Sequence, residues 1–114
     1  RRARMTLECE ITPSEFVARR KRGDDVVLFD CRTEEERAIA TIPTSIHTPL
    51  SDLKSMLQDL LVHADQTVVV HCHHGVRSLQ ATLFLRAEGF DDAYSLEGGI
   101  DRWSTDVAST VPGY

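Results

Sequence analysis

Val68-Val69-Val70-His71-Cys72-His73-His74-Gly75-Val76-Arg77-Ser78 reads as a strand that runs into a helix through one short loop. The β-branched run at 68–70 shows no polar alternation, the pattern of a strand covered on both faces. Cys72 opens a six-residue loop that closes at Arg77 and holds Gly75. The following spacing predicts a helix from Ser78 to Glu88, stopped by Gly89. A loop of this shape turns its backbone N–H groups inward, and the helix start adds partial positive charge. Such a cradle lowers a thiol pKa, leaving Cys72 a thiolate near neutral pH, and can hold an anionic group on the cysteine or on its substrate.

The same syntax repeats on either side. Val26-Val27-Leu28-Phe29-Asp30 is a second continuous apolar run, and Ala93-Tyr94-Ser95-Leu96 a shorter strand. Ile42 to Pro49 reads as extended chain whose prolines mark an edge or a turn. Thr12 is a good N-cap for a helix running to about Arg22, with Pro13 first in the helix, Glu15 closing a capping box and Gly23 as stop. Thr33 to Glu36 offers a second capping box. Ser51 opens a helix carrying Leu53, Met56, Leu57, Leu60 and Leu61, and Leu79, Thr82, Leu83 and Leu85 form the apolar side of the helix after the cysteine loop. Gly98-Gly99 predicts a turn before a last short helix, Ile100–Ser104, bearing Trp103. Strands alternating with helices predict an α/β fold, a central parallel sheet covered on both faces. Ligands in such sheets lie beyond the carboxyl ends of the strands. Cys72 stands there, and Asp30, Cys31 and Arg32 share the rim.

The composition suits one domain of 114 residues, with residues 1–10 expected as an N-terminal extension, 11–105 as the folded unit and 106–114 as a tail. The net charge of −5 argues against nucleic acid as the main partner. Two basic clusters, Arg1 to Arg4 and Arg19 to Arg22, run against that balance and read as a frayed terminus and a solvated helix end. Three cysteines without secretory spacing point to free thiols in a reducing compartment, and a cytoplasmic location is expected. No apolar run approaches the roughly 20 residues of a membrane helix, and no apolar segment follows the N-terminal arginines as a signal peptide would require.

Cys72-His73-His74-Gly75-Val76-Arg77-Ser78 resembles the active-site loop of single-domain rhodaneses, C-x-x-G-x-R-S. Asp30-Cys31-Arg32 resembles the family's D-x-R. Thr41-Ile42-Pro43-Thr44-Ser45-Ile46-His47-Thr48-Pro49 resembles H-I-P-G-A-x-N-I-P, and Gly89-Phe90 and Leu96-Glu97-Gly98-Gly99-Ile100 with Trp103 resemble the closing strand, turn and helix. Together they reach from about Ile11 to Ser104. Thr41 departs from the usual histidine, Cys31 from valine, and Thr44 from a turn glycine, a departure that suggests different backbone angles there. The resemblance implies a three-layer rhodanese-like fold on a mostly parallel five-stranded sheet. It also implies sulfur transfer through a persulfide on Cys72, from a donor such as thiosulfate to cyanide or a thiol.

Cys72 is then the nucleophile of two half-reactions. Gly75 lets the backbone approach the sulfur. Arg77 would bond loop carbonyls or an anionic donor, and Ser78 would cap the first helical turn. His73 and His74 would stabilise the persulfide, relay protons or set donor choice, or simply be polar loop residues, as Val76 is an apolar one. Asp30 and Arg32 would brace the rim as an ion pair. Cys31 is read as a small buried hydrophobe that could also lie near Cys72 and form a disulfide with it under oxidative stress. No cofactor is expected, and no metal: His71, Cys72, His73 and His74 are suitable ligand types, but consecutive residues do not converge on one ion. Alternatives are a phosphatase of the same fold, whose loop is one residue longer, and a sulfur-relay or regulatory module. The partners expected are a small sulfur donor with a thiol or cyanide acceptor, or a cysteine desulfurase or other sulfur-relay protein.

Overall fold

The computed structural model describes residues 9–107. Five strands form one sheet in the order β1-β5-β4-β2-β3, and every pairing is parallel. The strands are β1 (Glu10–Ile11), β2 (Val26–Asp30), β3 (Ile46–His47), β4 (Thr67–His71) and β5 (Ala93–Leu96). The α-helices are α1 (Pro13–Lys21), α2 (Glu34–Ile39), α3 (Leu53–Leu60), α4 (Val76–Ala87) and α5 (Gly99–Asp106). β4 lies at the centre, between β5 and β2, so the loop after it opens in the middle of the carboxyl rim.

Strand periodicity divides the core in two. Leu28 and Val69 face a layer holding Ile11, Phe16, Ile42, Leu96, Ile100 and Trp103, with the Phe16 and Trp103 rings 5.8 Å apart. Their sequence neighbours Phe29, Val68 and Val70 face the opposite layer with Leu53, Leu60, Ala81 and Leu85. Cys31 and Cys72 continue this second face beyond the ends of β2 and β4. One strand side buries α1 and α5, the other α3 and α4, which explains why the strands carry no polar alternation.

The helix signals hold with local corrections. Thr12 caps α1 through the Glu15 N–H, but the Glu15 carboxylate pairs with Arg19 instead of closing a capping box. Around α2 the box is complete: Thr33 accepts from the Glu36 N–H, and Glu36 accepts from the Thr33 N–H. α3 begins at Leu53, after a 3-10 turn, and Leu61 lies beyond its end, 41% exposed. α4 begins two residues before Ser78, with Gly75 as its N-cap, and buries Ser78, Ala81, Thr82 and Leu85 while Leu83 is exposed. α5 extends past Ser104 to Asp106. β1, two residues beside β5, has no run long enough to be read from sequence. Thr44 takes the left-handed conformation expected of the glycine it replaces, with φ of 70°, so the backbone turn is kept. The cluster Arg1 to Arg4 lies outside the described residues. Within the second basic cluster Arg19 pairs with Glu15, Arg22 with Asp24, and Arg20 lies over the Phe16 ring.

Candidate active site

Cys72 follows the last residue of β4 and is 1% exposed, yet the loop beyond it curls back onto its sulfur. The Gly75 N–H donates to Sγ at 3.0 Å and the Ser78 N–H at 3.4 Å. Ser78 Oγ also lies 3.4 Å from the sulfur and 2.7 Å from Ser95 Oγ on β5. When the sulfur is ionised the Ser78 hydroxyl donates to it, leaving Ser95 to donate to Ser78. Gly75 makes the curl possible. Its φ is 106°, and a side chain there would press on the Gly98 backbone N at 3.3 Å.

The loop is held in this shape from behind. The Cys72 carbonyl accepts from the Ile100 N–H at 2.8 Å and the His73 carbonyl from the Asp101 N–H at 3.2 Å, both at the start of α5. These bonds turn the carbonyls outward and leave the amides facing the sulfur. Gly99 must be glycine for this contact. A Cβ there would meet the carbonyl oxygens of Cys72 and His73 at 2.3 and 2.5 Å.

This geometry sets the electrostatics. A hydrogen bond from Cys31 pulls the Cys72 thiol well below its ordinary value; burial opposes it, and the Ser78 hydroxyl, Ser78 N–H and Gly75 N–H add to the lowering. Cys31 moves the opposite way, raised by its bond to Cys72 and by burial, so the pair carries one charge and it rests on Cys72.

The second strand end is a charge lock. Arg32, wholly buried, donates from Nε and Nη2 to the two Asp30 carboxylate oxygens at 2.9 and 2.8 Å, and from Nη2 to the Ala40 carbonyl at 2.6 Å. Arg37 adds a bond to Asp30 at 2.9 Å. Burial alone would raise the Asp30 carboxyl, but chiefly the bonds from Arg32 hold it below its usual value. His71 Nε2 faces the same carboxylate at 3.8 Å; burial drives its pKa down to about 4, so the ring is neutral. His71 thus belongs to the other layer and does not meet Cys72 and His74.

Arg77 bonds neither loop carbonyls nor an open site. It forms a two-pronged ion pair with Glu36 of α2 at 2.6 and 2.8 Å. It lines a cavity of about 730 Å³ with Cys31, His47, Leu50, Glu34 and Asp52. Val76, the apolar position of the loop, is 73% exposed. His73 and His74 stack at 3.8 Å between ring centroids, and His74 Nε2 lies 3.6 Å from Asp101. Their ring nitrogens and the Asp101 carboxylate form the one metal-compatible group among the described residues, with ligand atoms within 4.8 Å of one another.

Residues 12–106 match the model of the rhodanese-like domain. The chain belongs to the rhodanese-like family. The thiosulfate sulfurtransferase GlpE of Pseudomonas syringae is 33% identical over 101 residues, covering 89% of this chain and 92% of that protein. The adenylyltransferase and sulfurtransferase of Arabidopsis thaliana is 30% identical over 124 residues, but the chain spans only 27% of its length. A human single-domain sulfurtransferase superposes with a TM-score of 0.74 at 28% identity, covering 86% of this chain and 96% of that one. Sequence reasoning named Cys72, Gly75, Arg77 and Ser78, which the structure places together in one loop and helix start. It missed Ser95, Gly99 and Glu36. The signals available were a serine inside the apolar run of β5 and the turn glycines at 98–99.

Proposed function

We propose that the chain is a sulfurtransferase that carries sulfane sulfur on Cys72. The ionised Sγ attacks the outer sulfur of thiosulfate; the S–S bond breaks and sulfite leaves with the electron pair, so Cys72 becomes a persulfide. Cyanide or a thiol then takes the outer sulfur as thiocyanate or a new persulfide and returns the thiolate. This is covalent catalysis in two half-reactions. The observation that carries the reading is the ring of donors on one sulfur: Gly75 N–H, Ser78 N–H and the Ser78 hydroxyl. A preorganised set of this kind stabilises negative charge without reorganising during reaction.

The surroundings bear on the donor. Both arginines on the cavity wall are tied to carboxylates, Arg32 to Asp30 and Arg77 to Glu36, and Glu34, Glu35 and Asp52 line the same wall. A dianion such as thiosulfate gains little from such a surface, so weak saturation by thiosulfate is expected, and a persulfide on a small thiol or a sulfur-relay protein suits the site better. The test is intact mass after incubation with thiosulfate. One sulfur, about 32 Da, is expected on the wild type and none on Cys72→Ser. An unchanged wild-type mass with thiosulfate and with a small-molecule persulfide would overturn the reading.

A further inference from the structure

Cys31 and Cys72 occupy equivalent places on neighbouring strands. Asp30 and His71 are the last paired residues of β2 and β4, and the Cys31 N–H donates to the His71 carbonyl at 3.0 Å, one rung beyond. Neighbouring strands stand about 4.8 Å apart, which falls within the Cα separation a disulfide needs. Residues in matched register on parallel strands point to one face, and both cysteines lie in the same core layer, each 1% exposed. Cys31 also forms part of the cavity wall, beside Arg77. The Cys31 carbonyl accepts from the Leu50 N–H at 3.0 Å, so its backbone is pinned in this position. Cys9, the third cysteine, precedes β1 at the far side of β5 and belongs to neither arrangement.

We infer that Cys31 is an internal acceptor: its thiol attacks the inner sulfur of the Cys72 persulfide and expels the outer sulfur as hydrosulfide. The inference rests on the proposed persulfide chemistry. The Cys31–Cys72 S–S bond forms as the Cys72 Sγ–S bond breaks. The electron pair of the broken bond leaves with the outer sulfur, and the Cys31 proton goes with it. The sulfane sulfur is reduced to the sulfide level, and the two cysteines are oxidised to a disulfide. A dithiol reductant then restores both thiols for another round.

The chemistry of the pair favours this order. While Cys72 is a thiolate, Cys31 serves as its hydrogen-bond donor and stays protonated. Loading moves the negative charge from Sγ to the outer sulfur. The bond that held the Cys31 proton is then weakened, and an electrophilic sulfur stands where a charged one had been. Thiol–disulfide exchange requires this pairing of a nearby thiol with a sulfur–sulfur bond. With a second cysteine at this position the chain has a sulfur exit of its own, and its further product is hydrosulfide.

The test follows loaded protein under anaerobic conditions with excess donor and all free thiols removed. Wild type should first stand about 32 Da above the reduced mass, then fall to about 2 Da below it, with one hydrosulfide released per chain. Digestion without reductant should recover the peptides of Cys31 and Cys72 joined, and the rate should not depend on protein concentration. Cys31→Ser, whose hydroxyl keeps a donor beside Cys72, should hold its added sulfur and release hydrosulfide at least about tenfold more slowly. Cys9→Ser should behave as wild type. A persulfide that persists in the wild type, or decays equally in Cys31→Ser, overturns the inference and leaves the persulfide reading standing. A wild type that never gains sulfur overturns both. Should Cys31→Ser fold poorly, the joined peptides and the sulfide count from wild type decide the matter alone.

Discussion

The ends of β2 and β4 lie side by side and begin alike. Each places a buried ionisable residue at its last position, Asp30 or His71, and a buried cysteine next. Beyond the cysteines the two chains part. After β2, Arg32 folds back into the core and spends its guanidinium on Asp30 and the Ala40 carbonyl, so the chain locks itself with charge. After β4, the chain curls over Gly75 and offers N–H groups to Cys72. Equal burial produces opposite thiols: the bond between them raises Cys31, the donor, and lowers Cys72, which the Ser78 hydroxyl and the backbone N–H groups of Ser78 and Gly75 lower further. The nucleophile is made by the Cys31 thiol beside it together with the loop that follows it.

The sharpest way to break this contrast is to remove the lock. Arg32→Met strips the guanidinium from the buried Asp30 carboxylate and leaves it the residue-32 backbone N–H, Arg37 and a neutral His71. Breaking one side of a buried pair costs about 3–5 kcal/mol. A urea unfolding curve should show a loss of that size. Sulfur uptake per folded molecule should stay near wild type, because none of the donors to Cys72 comes from Arg32. If uptake collapses while the fold survives, the β2 end takes part in the chemistry and the division fails.

A pH titration probes the seam where the two strand ends touch. The folded pKa of His71, about 4, lies below its ordinary 6.5 because burial disfavours the imidazolium more than Asp30 favours it. Below 6.5 the unfolded chain therefore binds a proton that the folded chain refuses. Stability from this group is complete above that value and falls away between about pH 6.5 and 4, by about 3 kcal/mol at most. His71→Gln should lose this slope, so the stability difference between wild type and variant should change across the window and be flat above it. The Asp30 contribution disappears at lower pH, below its ordinary 3.8, and does not mimic the effect. A constant difference from pH 7 to 4 would mean that His71 takes up its proton as readily in the folded protein as in the unfolded chain, and a slope of the opposite sign that it belongs to the charge lock.

Much of the site could be read from the chain because its signals are local. The strand at 67–71, the cysteine, Gly75 and the following helix are consecutive, and each has a direct backbone reason. The Asp30–Arg32 pair was likewise legible as a brace. The supports brought in from elsewhere were not. Ser95 and Gly99 reach the loop and the helix start after it from β5 and α5, 17 or more residues on, and Glu36 takes Arg77 from an earlier helix. Gly99 gave only the signal of a turn; its need to admit the Cys72 carbonyl exists only once the layers have packed. Thr44 shows the converse error. A missing glycine suggested a different turn, but Arg20 bonds the Thr44 hydroxyl at 2.8 Å from α1, and the left-handed turn persists.

The smallest expected effect isolates one donor. Ser78→Ala removes the hydroxyl at 3.4 Å from Cys72 and keeps the Ser78 position's backbone N–H, the Gly75 N–H and the Cys31 thiol. A hydrogen bond to an ionised group contributes about 1.5 kcal/mol or more, so the thiolate midpoint should rise by about one pH unit. Ultraviolet absorbance of the thiolate, followed against pH with Cys72→Ser as blank, measures that midpoint directly. Because the group is an acid whose pKa moves up, uptake should slow on the acid side of the profile and converge with wild type as pH rises past both midpoints. Stability should change less than for Arg32→Met, since the side chain removed is small and Ser95 Oγ retains the Gly75 carbonyl at 3.5 Å as an alternative acceptor. An unmoved midpoint would mean that the amides and Cys31 hold the charge without help from the serine pair. The contrast between the two strand ends would then reduce to backbone direction alone.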